Sequence, residues 1–255
     1  MVHFVGAGPG AVDLITIRGK KYIEEADVII YAGSLVNPEL LSDAKRDCQV
    51  YDSARLSLDE VLDIIRDAEK SGEKIVRLHT GDPSIYGAIR EQMDALDELG
   101  IEYDYTPGVS SFCGAAAALN LEYTLPGMSQ SVIITRMEGR TPVPEKESVE
   151  ELAKHDSTMV FFLSAGDMEG LANKLMNAGR SKDTPCAIVY KATWPEERTF
   201  VTTLENLAKV AKENDITKTA LIIVGDVVCP KGYDKSKLYD ATFTTGFRKG
   251  IDTDE

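Results

Sequence analysis

The sequence predicts an α/β protein with two α/β domains, the first on a mostly parallel sheet and the second on a mixed sheet. Three observations carry that expectation. Strand-like and helix-like stretches alternate over residues 1–120, the pattern of a parallel sheet with helical crossovers. Composition then breaks at Leu121–Met128, where Pro126 and Gly127 fall together, and a second alternating block fills residues 121–230. Inside that block, strand candidates 185–190 and 198–203 stand too close for a crossover helix, which calls for an antiparallel hairpin. Residues 231–255 read as a polar tail with no clear period.

In chain order, the apolar run 2–6 is a first strand that enters a glycine loop, and a helical pattern begins near Thr16. Strands are expected at 27–31, 48–51, 74–79 and 102–106. Ser57-Leu58-Asp59-Glu60 is a capping box, and the following Val61, Leu62, Ile64, Ile65 and Ala68 share one helix face. Gly72 ends that helix as its C′ residue. An alanine-rich helix starts at about Ser111. In the second block strands are expected at 131–136, 158–163, 185–190, 198–203 and 219–224, with helices near 148–155, 168–178 and 204–213. Ser148-Val149-Glu150-Glu151 is a further capping box.

Composition narrows the function. The 255 residues are 43% hydrophobic and 27% charged, an ordinary globular balance. With 28 basic against 42 acidic residues the formal charge is −14, a field that repels polyanions and argues against a nucleic-acid partner. Cys48, Cys113, Cys186 and Cys229 are scattered, as are His3, His79 and His155, so no metal-ligand spacing exists and the thiols read as buried or inert. Apolar runs are strand-sized, so no membrane span is expected. The N-terminus has no basic region before its apolar stretch, and a cytoplasmic location is expected.

Ligands of open α/β sheets collect at the carboxyl ends of strands, so the loops there are the candidates for chemistry. The first loop, Gly6-Ala7-Gly8-Pro9-Gly10-Ala11, has the spacing of a dinucleotide fingerprint, but Pro9 deletes an N–H that would face a pyrophosphate. No carboxylate closes the next strand, which ends Tyr31-Ala32-Gly33-Ser34, and this also counts against a dinucleotide. After strand 74–79 comes Thr80-Gly81-Asp82-Pro83-Ser84-Ile85-Tyr86-Gly87. Asp82 with Pro83 reads either as an N-cap with proline at N1 or as a carboxylate offered to a ligand beside an approachable Gly81. Ser110 and Ser111 read either as helix caps or as donors to a ligand carboxylate. Trp194, the lone tryptophan, is expected to be exposed on the hairpin loop in a contact role. Arg136 and Arg140 flank Gly139 in a stretch stiffened by Pro142 and Pro144, which reads either as an anion-gripping loop or as a solvated one.

Taken together, these motifs resemble the tetrapyrrole (corrin and porphyrin) methyltransferase family. The residues that carry the likeness are Val5-Gly6-Ala7-Gly8-Pro9-Gly10, Gly81-Asp82-Pro83-Ser84-Ile85-Tyr86-Gly87, Pro107-Gly108-Val109-Ser110-Ser111 and Ala220-Leu221-Ile222-Ile223-Val224-Gly225. Tyr31 to Val36, Thr135 to Glu145 and Tyr190 to Pro195 look most like the branch that methylates carbon 11 of precorrin-4 or cobalt-precorrin-4 in cobalamin biosynthesis. The resemblance implies S-adenosylmethionine as methyl donor, a tetrapyrrole substrate and a homodimer. It implies cofactor contacts at Pro9, Thr80, Gly81, Asp82, Ile85, Ser110, Ser111, Leu163 and Ala192, drawn from both blocks and so expected in a cleft between them. The carboxylates of such a substrate need local positive charge, for which Arg136, Arg140, Lys191 and Arg198 are the candidates. The family's loop aspartate in the uroporphyrinogen-III branch has Ala32-Gly33 in its place here, so no catalytic residue is assigned. A sister methyltransferase acting on another ring carbon, such as one of uroporphyrinogen-III, a dinucleotide-dependent oxidoreductase and a non-catalytic binder of the cofactor are the competing readings.

Overall fold

The structure is a computed structural model that describes residues 1–33 and 35–251, so Ser34 of the Tyr31–Val36 motif and residues 252–255 of the tail lie outside the described residues. The chain clusters into two compact units. One is Met1–Ala118 together with Lys191–Arg198, and the other is Leu119–Tyr190 together with the chain from Thr199 onward. The loop expected on the second block's hairpin therefore packs with the first unit.

The first unit holds strands β1 (Val2–Gly6), β2 (Val28–Tyr31), β3 (Gln49–Asp52), β4 (Ile75–His79) and β5 (Tyr103–Thr106) in the spatial order β3-β2-β4-β1-β5. All four pairings are parallel. Helices α1 (Ile17–Glu25), α2 (Leu58–Lys70), α3 (Arg90–Leu99) and α4 (Ser111–Leu119) make the crossovers and the exit. Both faces of the inner strands are covered, which is why β1, β2 and β4 are buried at nearly every position while the edge strands β3 and β5 are more polar. Phe4, Ile30 and Ile75 are buried against Ile65 and Leu96, while Val5, Ile29 and Leu78 are buried against Ile23 and Leu40. Each such side chain contributes about 1.5–3 kcal/mol on burial.

Local signals act as read. Thr16 accepts from Gly19 N–H at 3.1 Å to start α1. Ser57 and Glu60 cap each other at the start of α2, and Gly72 follows its end with φ +71°. The capping reading of Asp82-Pro83 expects the next helix to start there, but α3 starts only at Arg90, with Ile89 at its N-cap and no side-chain acceptor. The chain turns through Pro83–Tyr86, and Tyr86 and Ala88 have left-handed φ of 57° and 49° before α3 begins.

The second unit holds β6 (Val132–Arg136), α5 (Val149–Ala153), β7 (Thr158–Phe162), α6 (Met168–Asn177), β8 (Pro185–Tyr190), β9 (Arg198–Thr203), α7 (Leu207–Glu213) and β10 (Ala220–Val224). Its sheet order is β6-β7-β10-β8-β9. β6 pairs parallel with β7, whereas β10 runs antiparallel to both β7 and β8, so the sheet is mixed. Phe161, Ile188 and Ile222 meet Leu171, Leu175 and Leu207 in its core. The tail folds on itself: Arg248 donates to the carbonyls of Leu238 and Asp240, and Ile251 N–H donates to Ala241 at 2.9 Å. Among the described residues no helix is long and apolar enough to cross a membrane.

Candidate active site

The order β4-β1-β5 places three carboxyl ends side by side, and three glycine-bearing loops leave from them. Gly6 is in register with His79, and Val5 with Thr106. The loops nest because glycine leaves room. A Cβ on Gly6 would stand 2.5 Å from the Gly108 nitrogen and 2.7 Å from the Gly81 oxygen. Gly8 and Gly81 form a two-way bridge, Gly81 N–H donating to Gly8 at 2.8 Å and Gly8 N–H to Gly81 at 3.3 Å. Gly81 holds φ +59°, a conformation that disfavours any side chain.

The first loop spends its N–H groups internally. Ala7 N–H donates to His79 at 2.7 Å and Ala11 N–H to Thr193 Oγ1 at 3.0 Å. With Gly8 committed to Gly81 and Pro9 lacking a donor, the loop has no row of free amides for a pyrophosphate. The dinucleotide reading fails on this geometry. Pro9 is buried, and its carbonyl accepts from Trp194 Nε1 at 3.1 Å. Asn37 Nδ2, also buried, donates to the Gly10 carbonyl at 2.9 Å. Trp194 is thus half-buried against the first loop, in place of the exposed hairpin position expected.

Asp82 ties the middle loop to its neighbours. Oδ1 accepts from Ser84 N–H at 2.9 Å and from the hydroxyls of Ser84 and Tyr105, and Oδ2 accepts from Gly108 N–H at 2.9 Å. Burial alone would raise this carboxyl, but the bonds from Ser84, Tyr105 and Gly108 outweigh it and hold it below the ordinary carboxylate range. The capping reading of Asp82 becomes an Asx turn on Ser84. Thr80 Oγ1 donates to the Leu35 carbonyl at 3.0 Å. Pro9, Gly81 and Ser110 form a buried floor, while Thr80, Asp82, Ile85 and Ser111 are half-buried around it. Ser110 O accepts from Gly114 N–H at 3.3 Å, so Ser110 stands at the threshold of α4.

His79, at the end of β4, is buried with Nε2 unpartnered among the described residues. Burial, with the nearby Arg77 charge, pushes it down to about 3, so it is a neutral core residue and no general base. Arg77 is itself buried, donating to Gln92 at 2.9 Å and to the Ile30 carbonyl at 3.1 Å, and burial lowers it to about 10.

The remaining residues lie elsewhere. Ala192 is buried in the Lys191–Arg198 segment of the first unit, between Lys191 and Thr193 at φ 47° and 68°. Lys191 pairs with Glu196 at 3.1 Å and lies 5.4 Å from the Trp194 ring centre. Arg198 is exposed at the start of β9. In the second unit Leu163 follows β7 at φ 51° with 70% of its surface exposed. Arg136 turns its guanidinium inward to the carbonyls of Met137 at 3.1 Å, Thr141 at 3.2 Å and Pro142 at 2.7 Å, so it braces its own loop. Arg140 is exposed on the wall of a cavity of about 380 Å³ that Pro142, Pro144 and Glu145 also line. Sequence reasoning missed Tyr105, Asn37 and Thr193, whose bonds join residues far apart in the chain.

Residues 1–208 match the family described as Tetrapyrrole (Corrin/Porphyrin) Methylases. The chain is a tetrapyrrole methylase. This methylase is 54% identical over 248 residues to the cobalt-precorrin-4 C(11)-methyltransferase of Methanocaldococcus jannaschii, a match covering 97% of this chain and 96% of the other. Its fold superposes on the X-ray structure of a cobalt precorrin-4 methyltransferase with a TM-score of 0.88 at 44% identity, over 90% of this chain and 96% of that one. The uroporphyrin-III C-methyl transferase of Thermus thermophilus, solved with S-adenosylhomocysteine, gives a TM-score of 0.74 at 26% identity, over 89% and 93%.

Proposed function

We propose that this methylase transfers the methyl group of S-adenosylmethionine to carbon 11 of precorrin-4 or cobalt-precorrin-4. The observation that carries the reading is the 54% identity, over nearly all of both chains, to a C(11)-methyltransferase. The choice of ring carbon draws on the contrast between the two solved relatives, 44% identical for the precorrin-4 enzyme and 26% for the uroporphyrin-III enzyme.

The cofactor assignment is Pro9, Thr80, Gly81, Asp82, Ile85, Ser110, Ser111, Leu163 and Ala192. It draws support from the nested floor of the three loops, where Gly6, Gly81 and Gly108 let the loop main chains close on one another and bring Pro9, Gly81 and Ser110 together. Leu163 supports it differently: an exposed, left-handed leucine is strain without a packing reward, the kind of cost found at ligand sites. Bound S-adenosylmethionine supplies a methyl group on a sulfonium, already electrophilic, and the macrocycle supplies an enamine-like carbon. The protein's task is then alignment and exclusion of water. Asp82, fixed by four donors, sets the middle loop, and its carboxylate would offer negative charge to the ligand's ammonium. For the macrocycle's carboxylates Arg140 is the leading contact, with Lys191 and Arg198 beside it in the assignment, and Arg136 serves by shaping the loop that carries Arg140.

A cytoplasmic homodimer completes the reading, and sedimentation velocity measures its second half. The deciding experiment incubates the protein with S-adenosylmethionine labelled in the methyl carbon and with precorrin-4 or its cobalt form, then maps the product by NMR. A label on carbon 11 is expected. A label on another ring carbon, or none with either substrate, overturns the proposal.

A further inference from the structure

The segment Lys191–Arg198 leaves the second unit at Tyr190 and rejoins it at Thr199, yet it packs as part of the first unit. Its contacts concentrate on three successive residues of the first loop. Trp194 Nε1 donates to the Pro9 carbonyl at 3.1 Å, and Thr193 Oγ1 accepts from Ala11 N–H at 3.0 Å. Between them, the five-membered ring of the indole packs against Gly10, where a Cβ would collide with Cδ1 and Nε1. Pro9 and Thr193 also meet the same point of α4: a Cβ on Gly114 would stand 3.0 Å from Pro9 Cβ and 3.1 Å from Thr193 Cγ2.

The segment is strained on both sides of Ala192. Lys191 and Thr193 adopt left-handed backbone, a conformation unfavourable for a residue with a side chain. The conformation is held by Thr193 N–H donating to Glu197 Oε2 at 2.6 Å and by Trp194 N–H donating to Lys191 at 3.0 Å. The Lys191 ammonium lies 5.4 Å from the centre of the indole ring, a cation–π distance. Strain of this kind persists where the surroundings over-determine it. Here the surroundings are the first loop itself, gripped through the indole.

We propose that Trp194 is a positioning residue for the methyl donor. Its indole clamps the Pro9–Ala11 main chain and holds Ala192, between the left-handed Lys191 and Thr193, in register with it, so that both reach the cofactor together. The inference rests on the assignment of Pro9 and Ala192 to cofactor contact. Trp194 touches neither the methyl group nor the macrocycle in this role, so its loss acts on cofactor affinity and spares the substrate.

The test is calorimetric titration with S-adenosylhomocysteine, alongside steady-state kinetics in each substrate. Trp194→Ala is expected to weaken binding by at least ~10-fold, and Trp194→Phe, which keeps the ring and loses the Nε1 donor, by about 3–5-fold. Both should raise KM for S-adenosylmethionine while KM for the macrocycle and kcat at saturating cofactor stay within about twofold, a split that a general loss of fold would not give. Gly10→Ala alone should weaken binding as Trp194→Ala does. In the Trp194→Ala background it should add little, because the Cβ then meets no indole. Unchanged S-adenosylhomocysteine affinity in Trp194→Phe and Trp194→Ala overturns the proposal while leaving the cofactor assignment standing. Wild-type protein that binds no S-adenosylhomocysteine overturns both.

Discussion

Replacing Tyr105 with phenylalanine removes one hydroxyl and tests how the ligand loops are held. In the wild type that hydroxyl donates to Asp82 Oδ1, on a carboxylate that also receives Ser84 N–H, Ser84 Oγ and Gly108 N–H. A hydrogen bond to a charged group contributes about 1.5–3 kcal/mol. Asp82 is half-buried and keeps its other donors, which places the loss at the low end, about 1–1.5 kcal/mol. For a unit of this size that lowers Tm by about 3–6 °C at pH 7.

The pH dependence sharpens the test. Asp82 is held below its ordinary value, so its stabilisation is fully present above the unfolded carboxyl value of about 3.9 and is lost as pH falls through the lower folded value. Tyr105 is itself raised, first by burial and then by Asp82, so it remains a donor across this range. The gap in Tm between wild type and Tyr105→Phe should therefore be full at pH 7 and narrow as the solution is acidified below the unfolded carboxyl value of about 3.9. Differential scanning calorimetry across that range measures it. Equal Tm at pH 7, or a gap that does not narrow in acid, would refute the view that Tyr105 holds the ionised carboxylate.

Three further outcomes follow from buried and exposed charge. His79 is pushed down to about 3 chiefly by burial, so between pH ~6.5 and 5 the unfolded chain takes up a proton that the folded chain refuses, costing about 2 kcal/mol. The stability of His79→Phe, followed by urea unfolding, should fall less over that interval, and an identical slope would show that His79 does not carry the effect. Arg140→Ala should raise KM for the macrocycle by the equivalent of about 1.5–3 kcal/mol with cofactor affinity unchanged. Arg136→Ala should instead loosen the loop, exposing it to limited proteolysis, because its guanidinium holds the carbonyls of Met137, Thr141 and Pro142. Wild-type kinetics in Arg140→Ala would remove that loop from the substrate assignment.

What could be read from the chain and what could not divide along one physical line, the range of the interaction. The ten expected strands are all present, and most of them are runs of apolar residues with a buried face, a pattern that needs no distant partner to be recognised. Thr16, Ser57 and Gly72 were legible for the same reason, since a cap is satisfied within a few residues. The start of helix α3 was misplaced because Asp82 and Pro83 carry a local cap signal yet turn the chain, while the helix itself starts at Arg90 without a side-chain cap, held by the buried Leu96 and by Gln92, which bonds Arg77 across the fold. The candidate site shows the division most sharply. Glycines at the ends of β1, β4 and β5 mark where a ligand can approach, and that spacing stands in the sequence. The bonds that shape the site join Asp82 to a tyrosine 23 residues on and Pro9 to a tryptophan 185 residues on, and no periodicity records either. An aspartate that caps a helix and one that ties its loop to a neighbouring strand and loop are spelled alike, as are a glycine in a turn and a glycine kept bare for an indole. Gly10 is the second kind. In the sequence it is one more loop glycine; in the fold it is the place where the segment carrying Ala192 is pressed onto the first loop, and a single methyl group there would push the two apart.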